Sequence, residues 1–300
     1  MDSEALRTFL VIYHNRSFSV AATRLGRSQP AISRRIALLE EELGVPLFER
    51  TSNGIVLSQA GQVLLPYAQR VLASINDCCS AIEGLRSGNA GPLAIAAVGT
   101  LASTNMTTVL KQFSSMHSEV TLTIRTATSS EISELVRNGE ATIGLRYFTD
   151  HASDLHNIEI SKEHLHIACS PDHPLAGKTV KSLRSLASEH WLAFPYTHKV
   201  RESSADNIFA QFLTLGISDL HWTPVDSLTA QKRLIEAGYG IAMLPDSSTI
   251  EEQAANSLKI IKVKGFDIYN PVCLVTRREG YLSPAATKLI ELFRSKYGGI

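Results

Sequence analysis

Residues 26–36 read GRSQPAISRRI, three arginines with no acid among them. The pattern is wider than this stretch: from Arg16 to Arg35 there are five arginines and no aspartate or glutamate. A guanidinium presents a rigid fork of donors that matches phosphate oxygens and the edge of guanine. Gln29 and Ser33, which both donate and accept, stand between the arginines. Every lysine or arginine before Lys111 is an arginine, although the whole chain balances 29 basic residues against 29 acidic ones. The chemistry offered is therefore local recognition of an anionic surface. A solvated helix face is the plain alternative for such a run, and the neighbouring spacing decides between them.

Bond-making chemistry has no comparable constellation. The sequence holds no GxxxxGK[ST], GxSxG or HExxH. His164, His166 and His173 have no cysteine or carboxylate at ligand spacing, so no metal and no cofactor is expected, and no enzyme. Cys169 and Cys273 fall in apolar strand-like runs where thiols are inert. Cys78 and Cys79 form no CxxC pair and read as small apolar residues.

The elements that position the arginines follow from periodicity. Ser3 can cap a helix with Leu6, Phe9, Leu10 and Tyr13 at i, i+3, i+4 and i+7. A short second helix from about Ser19 uses Val20, Ala21, Ala22 and Leu25, and stops at Gly26, which can adopt a left-handed conformation. A third begins at Ser28, with Pro30 in its first turn and Ile32, Ile36, Leu39 and Leu43 as its buried stripe. Two helices crossing at small residues, a glycine turn and polar side chains at the start of the second helix make a helix-turn-helix. The start of that second helix is the part that enters a DNA major groove.

The spacing is more specific than the generic motif. Ser17-Phe18-Ser19, Ala21-Ala22, Leu25, Ser28-Gln29-Pro30-Ala31-Ile32-Ser33, Leu39-Glu40, Leu43-Gly44, Leu47-Phe48-Glu49-Arg50 and Leu57-Ser58-Gln59-Ala60-Gly61 together resemble the N-terminal signature of LysR-type transcriptional regulators. The resemblance implies a wing over residues 45–58, with Arg50 near its start. It assigns Arg24, Arg27, Arg35 and Arg50 to phosphates of double-stranded promoter DNA, and Gln29, Pro30, Ser33 and Arg34 to base edges. RNA polymerase is a further partner that it implies.

Beyond the wing, Leu64, Ala68, Val71, Ile75, Cys78, Ile82 and Leu85 recur at spacings of four and three, an a/d seam over three heptads. A long helix joining two domains exposes such a seam unless a second copy covers it. Packing on the chain's own C-terminal body is the alternative. Family resemblance implies dimerisation here and favours a homotetramer over a homodimer. Pro66 is expected to kink the helix.

The breaker cluster at 87–92 separates this helix from alternating strands and helices. Strands are expected at 93–98, 120–125, 141–145, 164–169, 191–194, 221–225, 241–244 and 271–276. Helices are expected at 100–116, 130–138, 204–215, 228–237 and 283–297. The fold class is α/β behind an all-α-type head: a winged helix-turn-helix (1–58), a linker helix (59–87) and two effector lobes (91–161 with 268–300, and 162–267). Parallel α/β lobes bind ligands at the carboxyl ends of their strands. By resemblance the C-terminal part is similar to the periplasmic solute-binding proteins. The family cleft falls on Gly99, Thr100, Ser129, Arg146, Pro195, Thr197 and Ser227. Hydroxyls at helix starts with one arginine suit a carboxylate or another small anion as effector, while an ordinary N-cap is the plain role of each hydroxyl.

Composition agrees with an ordinary soluble protein, 44% apolar and 19% charged. Apolar runs such as 92–98 fall far short of the roughly 18 residues a bilayer span needs. A cytoplasmic protein without membrane contact is expected. Two rivals are a solute-binding or enzymatic α/β protein with an accessory head, and a non-specific nucleoid protein. The first lacks a catalytic constellation, and the second would spread lysine widely instead of clustering arginine around one helix.

Overall fold

The computed structural model describes residues 1–51, 54–86, 91–104, 106–195 and 204–297, with side chains except at 85, 86 and 204–207. The head comprises α1 (Ser3–Asn15), α2 (Phe18–Arg24), α3 (Gln29–Leu43) and an antiparallel hairpin of β1 (Phe48–Thr51) and β2 (Gly54–Leu57). Its core gathers Leu6, Phe9, Ile12, Ala21, Ile32 and Ile36. Gly26, at φ +61°, turns the chain between α2 and α3, the left-handed conformation that suits glycine.

Three expectations for the head are corrected. Val20, expected on the inner face of α2, is 46% exposed, and Ala21 and Ala22 alone are buried there. Asp2, not Ser3, caps α1, its carboxylate accepting from Ala5 N at 2.6 Å; a carboxylate there also meets the positive end of the helix dipole. Leu43 is 39% exposed. The helix ends there, Gly44 reverses the chain at φ +72°, and Leu47 fills the core position instead.

Helix α4 (Gln59–Arg86) is a single 28-residue element that runs through Pro66. The expected seam divides. Ala68 is fully buried, joining Leu72 in the head's own core, and Leu64 packs against that core. Val71, Ile75, Cys78 and Ile82 are exposed, in line with exposed Val63 and Tyr67. The side chain of Leu85 lies outside the described residues. Ala68 was expected to face a second copy; a four-three spacing cannot distinguish the face that meets another chain from the face that meets one's own.

The body follows as β3 (Gly91–Ala97), α5 (Gly99–Ala102), α6 (Met106–Met116), β4 (Val120–Thr126), α7 (Ser129–Arg137), β5 (Ile143–Tyr147), β6 (Leu155–Cys169), β7 (Thr179–Val180), β8 (Trp191–Ala193), α8 (Ser204–Thr214), β9 (Trp222–Pro224), α9 (Leu228–Glu236), β10 (Ile241–Pro245), α10 (Ile250–Ala254), β11 (Lys259–Val263), β12 (Ile268–Arg277) and α11 (Pro284–Tyr297). The strands order β4-β3-β5-β12-β6-β10-β8-β9, with β11 on β6 and β7 on β11. β4, β3 and β5 are parallel, as are β9, β8 and β10. Between them run the antiparallel β12 and β6, which pair from Ile268↔Leu165 to Arg277↔Leu155.

Strand β6 is much longer than the 164–169 expected. Its first half packs Leu155 and Ile160 into lobe I and its second packs Leu165 and Ile167 into lobe II. The lobe boundary expected at 161/162 therefore falls inside one continuous strand. The helix expected over 100–116 is two, because the Ser103 and Thr104 hydroxyls both bond the Thr100 carbonyl, at 3.0 and 3.1 Å, and so compete with helix continuation.

Gly144 shows how tightly the lobe I sheet is packed. A methyl there would meet Val275, Ile132 and Val136 at 2.6, 2.7 and 3.0 Å. Gly144→Ala is expected to destabilise the chain by about 1–3 kcal/mol through overpacking. Urea unfolding measures this, and an unchanged midpoint would show that the sheet and α7 give way freely.

Candidate functional site

On the head, the sequence-derived DNA set gathers around the start of α3. Gln29, Pro30 and Arg34 are exposed and Ser33 is half-buried. Gln29 Nε2 donates to Ser33 Oγ at 3.0 Å, which orders the two side chains together. Arg24 and Arg27 are exposed beside the turn, and Arg50 is exposed on β1. Arg35 differs: its guanidinium bonds Glu4, and that bond and charge, with help from Arg27 and Arg7, hold the Glu4 carboxyl below its usual range.

The head as a whole is not basic. Residues 1–58 hold seven arginines and six acids, so the balancing acids lie in the same domain. They are separated along α3, which has no acid in its first turn and carries Glu40, Glu41 and Glu42 near its end. A helix dipole favours the reverse arrangement, so this polarity does not serve helix stability. Glu40 does have a structural task, accepting from Leu47 N at 2.7 Å.

The sequence-derived cleft set does not converge in the expected way. Gly99 is exposed at the start of α5, and Thr100 beside it is buried. Ser129 opens α7, but Thr128 is the cap, forming a capping box with Glu131, and Ser129 Oγ accepts from Tyr147 N at 3.2 Å. Ser227 is an exposed N-cap that accepts from Ala230 N. Pro195 follows β8 half-buried, and Thr197 lies outside the described residues.

Arg146, expected as an anion ligand at the cleft, is not an open, exposed side chain. Only 2% exposed, it reaches under α7 to Ser133 Oγ at 2.6 Å, Asp150 Oδ2 at 3.0 Å and the Tyr147 carbonyl at 3.2 Å. The strand explains the burial: β5 is buried on both faces, so a polar residue within it must find partners inside the lobe.

What comes together at the junction of the lobes is a cluster that spacing did not reveal. Thr100 Oγ1 lies 2.7 Å from the Tyr147 hydroxyl, which bonds Glu163 Oε2. The other Glu163 oxygen accepts from Ser247 Oγ. Lobe I supplies Thr100 and Tyr147, the shared strand β6 supplies Glu163, and Ser247 follows β10 in lobe II. One signal was readable: Glu163 shares an inward strand face with Leu165, Ile167 and Cys169, where an acid is out of place. Burial raises the Glu163 carboxyl despite its two hydroxyl donors, and burial beside Glu163 holds the Tyr147 phenol well above its usual value. Cys169 and Cys273 are fully buried, and burial lifts the Cys169 thiol to about 11, which suppresses the reactive thiolate. Among the described residues no group of three or more metal-ligating side chains gathers.

Two family models cover the chain. Residues 3–62 match the bacterial regulatory helix-turn-helix protein, lysR family, and residues 86–298 match the LysR substrate binding domain. The chain belongs to the LysR family. It is a LysR-type DNA-binding transcriptional regulator with an effector-binding domain. The RuBisCO operon transcriptional regulator of Allochromatium vinosum is 26% identical over 294 residues, covering 97% of this chain and 95% of that one. The crystal structure of CbnR, a LysR family transcriptional regulator, has TM-score 0.65 at 25% identity, covering 99% of each chain. Full-length CbnR in complex with its target DNA superposes with TM-score 0.63 at 26% identity, covering 99% of this chain and 100% of that one.

The raised Glu163 carboxyl has a consequence for this LysR-type chain. Folding stabilises its protonated form, so its stabilising contribution is full below the unfolded carboxyl value of about 4.3 and is lost as pH rises through the raised folded value. Glu163→Gln cannot ionise, so its melting temperature relative to wild type should climb as pH rises from about 4 to about 7. Parallel pH profiles of the two proteins would show that Glu163 titrates normally.

Proposed function

We propose that this regulator reads promoter DNA with the start of α3 and responds to a small molecule held between its effector lobes. The observation that carries the reading is the order of charges along α3: Gln29 exposed in its first turn, Arg34 exposed in its second, no acid before Glu40, and glutamates in its last turn, where the dipole disfavours them. An arrangement that costs helix stability is accounted for by an anionic partner at the start of the helix. Gln29, Pro30, Ser33 and Arg34 meet base edges, and Arg24, Arg27 and Arg50 meet phosphates. Arg35 contributes when a phosphate displaces Glu4 from it.

The exposed stripe of Val63, Tyr67, Val71, Ile75, Cys78 and Ile82 on α4 supports a homo-oligomer in which a second copy covers it. A dimer places two heads on paired half-sites, and a tetramer, the arrangement family resemblance favours, places four. RNA polymerase is the partner that turns occupancy into regulation. The effector occupies the cleft bordered by Gly99, Thr100 and Pro195. With Arg146 committed elsewhere, a carboxylate or other small anion would be held by hydroxyls and helix starts. The protein binds and does not catalyse, needs no metal or cofactor, and works in the cytoplasm. No helix among the described residues is long and apolar enough to cross a membrane.

Gel shifts with a promoter fragment selected from a random pool test the head. Arg34→Ala should cost about 1–3 kcal/mol on the selected site and flatten its preference over random DNA; unchanged discrimination removes Arg34 from the base-reading set. Arg50→Ala should weaken binding to every sequence and reduce the log–log salt slope by about one. A loss confined to one sequence contradicts the phosphate role.

A further inference from the structure

The cleft cluster and the linker helix are joined by one file of hydrogen bonds that passes through the Tyr147 main-chain carbonyl. Gln69 of α4, only 7% exposed, donates to Glu134 Oε2 at 3.0 Å. The other Glu134 oxygen accepts from Arg137 at 2.7 Å, and Arg137 donates to Asp150 Oδ2 at 2.9 Å. That same Asp150 oxygen receives Arg146 at 3.0 Å. Arg146 then bonds the carbonyl of Tyr147, whose hydroxyl meets Thr100 and Glu163. Two guanidiniums converge on the largely buried Asp150 oxygen, and Arg137 also pairs with Asp154 at 3.0 Å, so Glu134, Arg137, Asp150, Arg146 and Asp154 form one charged network.

Both ends of the file are anchored. Gln69 stands beside Ala68 of the head core. Tyr147 is held through its N–H by Ser129 as well as through its carbonyl. A second contact keeps α4 seated on lobe I: Arg277 forms a two-bond pair with Asp77, which also accepts from Tyr281 N at 3.2 Å. Gly139 lies close enough that a methyl there would sit 3.0 Å from Ala73 Cα. Among the described residues, lobe II meets the file through Ser247 on Glu163.

We infer that Glu134, Arg137, Asp150 and Arg146 are positioning residues that convey the state of the lobe junction to the linker helix, and so to the DNA-reading head. The inference rests on the reading of the chain as an effector-regulated DNA binder. A shift of lobe II that breaks or makes the Ser247–Glu163 bond alters the restraint on Tyr147, and the file passes this to Gln69. Contiguity alone does not establish coupling, which is an interaction free energy between two ends and is measured by a cycle of substitutions.

Amide hydrogen exchange on the full chain supplies that cycle. Tyr147→Phe removes only the hydroxyl that joins the file to Glu163. Glu134→Gln leaves a single acceptor oxygen, so it cannot accept from Gln69 and Arg137 through separate oxygens, and it removes one of the three carboxylates around Arg137. Tyr147→Phe should change exchange of the α4 amides around Gln69 by about threefold or more, and in the Glu134→Gln background the same substitution should leave them unchanged. Val109→Ala, a truncation in the lobe I core that removes no bond of the file, controls for general loosening and should leave those amides at wild-type rates. Wild-type exchange in Tyr147→Phe overturns the inference. So does an equal change in both backgrounds, or the same change produced by Val109→Ala. The experiment contains no DNA and no effector, so its failure is distinguishable from failure of the DNA-binding reading, which the gel shifts decide.

Discussion

One helix belongs to two bodies, and the rest of the structure is arranged around that sharing. Ala68 and Leu72 of α4 complete the core of the head, while the very next residue, Ala73, lies against Gly139 of lobe I. Past Pro66, the 28-residue helix cannot bend freely between Leu72 and Ala73, because its backbone bonds there tie each turn to the next. The head therefore inherits its placement from lobe I. The ion pair from Asp77 to Arg277, both mostly buried, adds direction to a contact that small residues make close.

Within the body, the shared strands β6 and β12 impose a similar constraint. Each contributes to both lobes, so a motion of one lobe against the other must turn about these strands or break their pairing. Glu163 sits on β6 at this junction, with one oxygen bonded to lobe I and the other to lobe II. A buried carboxylate raises the cost of leaving any of its bonds unmade, which makes the junction sensitive to what occupies the space beside it. The head has a different logic, since its reading surface is exposed and its arginines are mostly left to solvent.

Much of this was legible beforehand, and unevenly so. Gly26, Ala21 and Ala22 marked the helix-turn-helix because a sharp turn and a close crossing each require particular residue types. Most strands and helices of the body fell near their expected bounds, because hydrophobic periodicity survives in them. The burial of Arg146 and its bond to Ser133 of α7 were not legible, because they depend on β5 being buried on both faces. Tyr147 and Ser247 were not found at all. Their partner, Glu163, lies 16 residues from one and 84 from the other, and no local pattern carries a contact of that range.

The seam on α4 shows the same division. Spacing determined that the helix has apolar faces, and spacing together with residue types determined the head, its turn and its reading helix, the alternating body and the family. These depend on local geometry, in which each residue's neighbours along the chain are also its neighbours in space. Tertiary structure alone decided which apolar face of α4 is covered by its own chain, where Arg146 spends its charge, and that one strand serves both lobes. Each of those outcomes depends on which distant surfaces meet, and burial assigns a partner only once they have met.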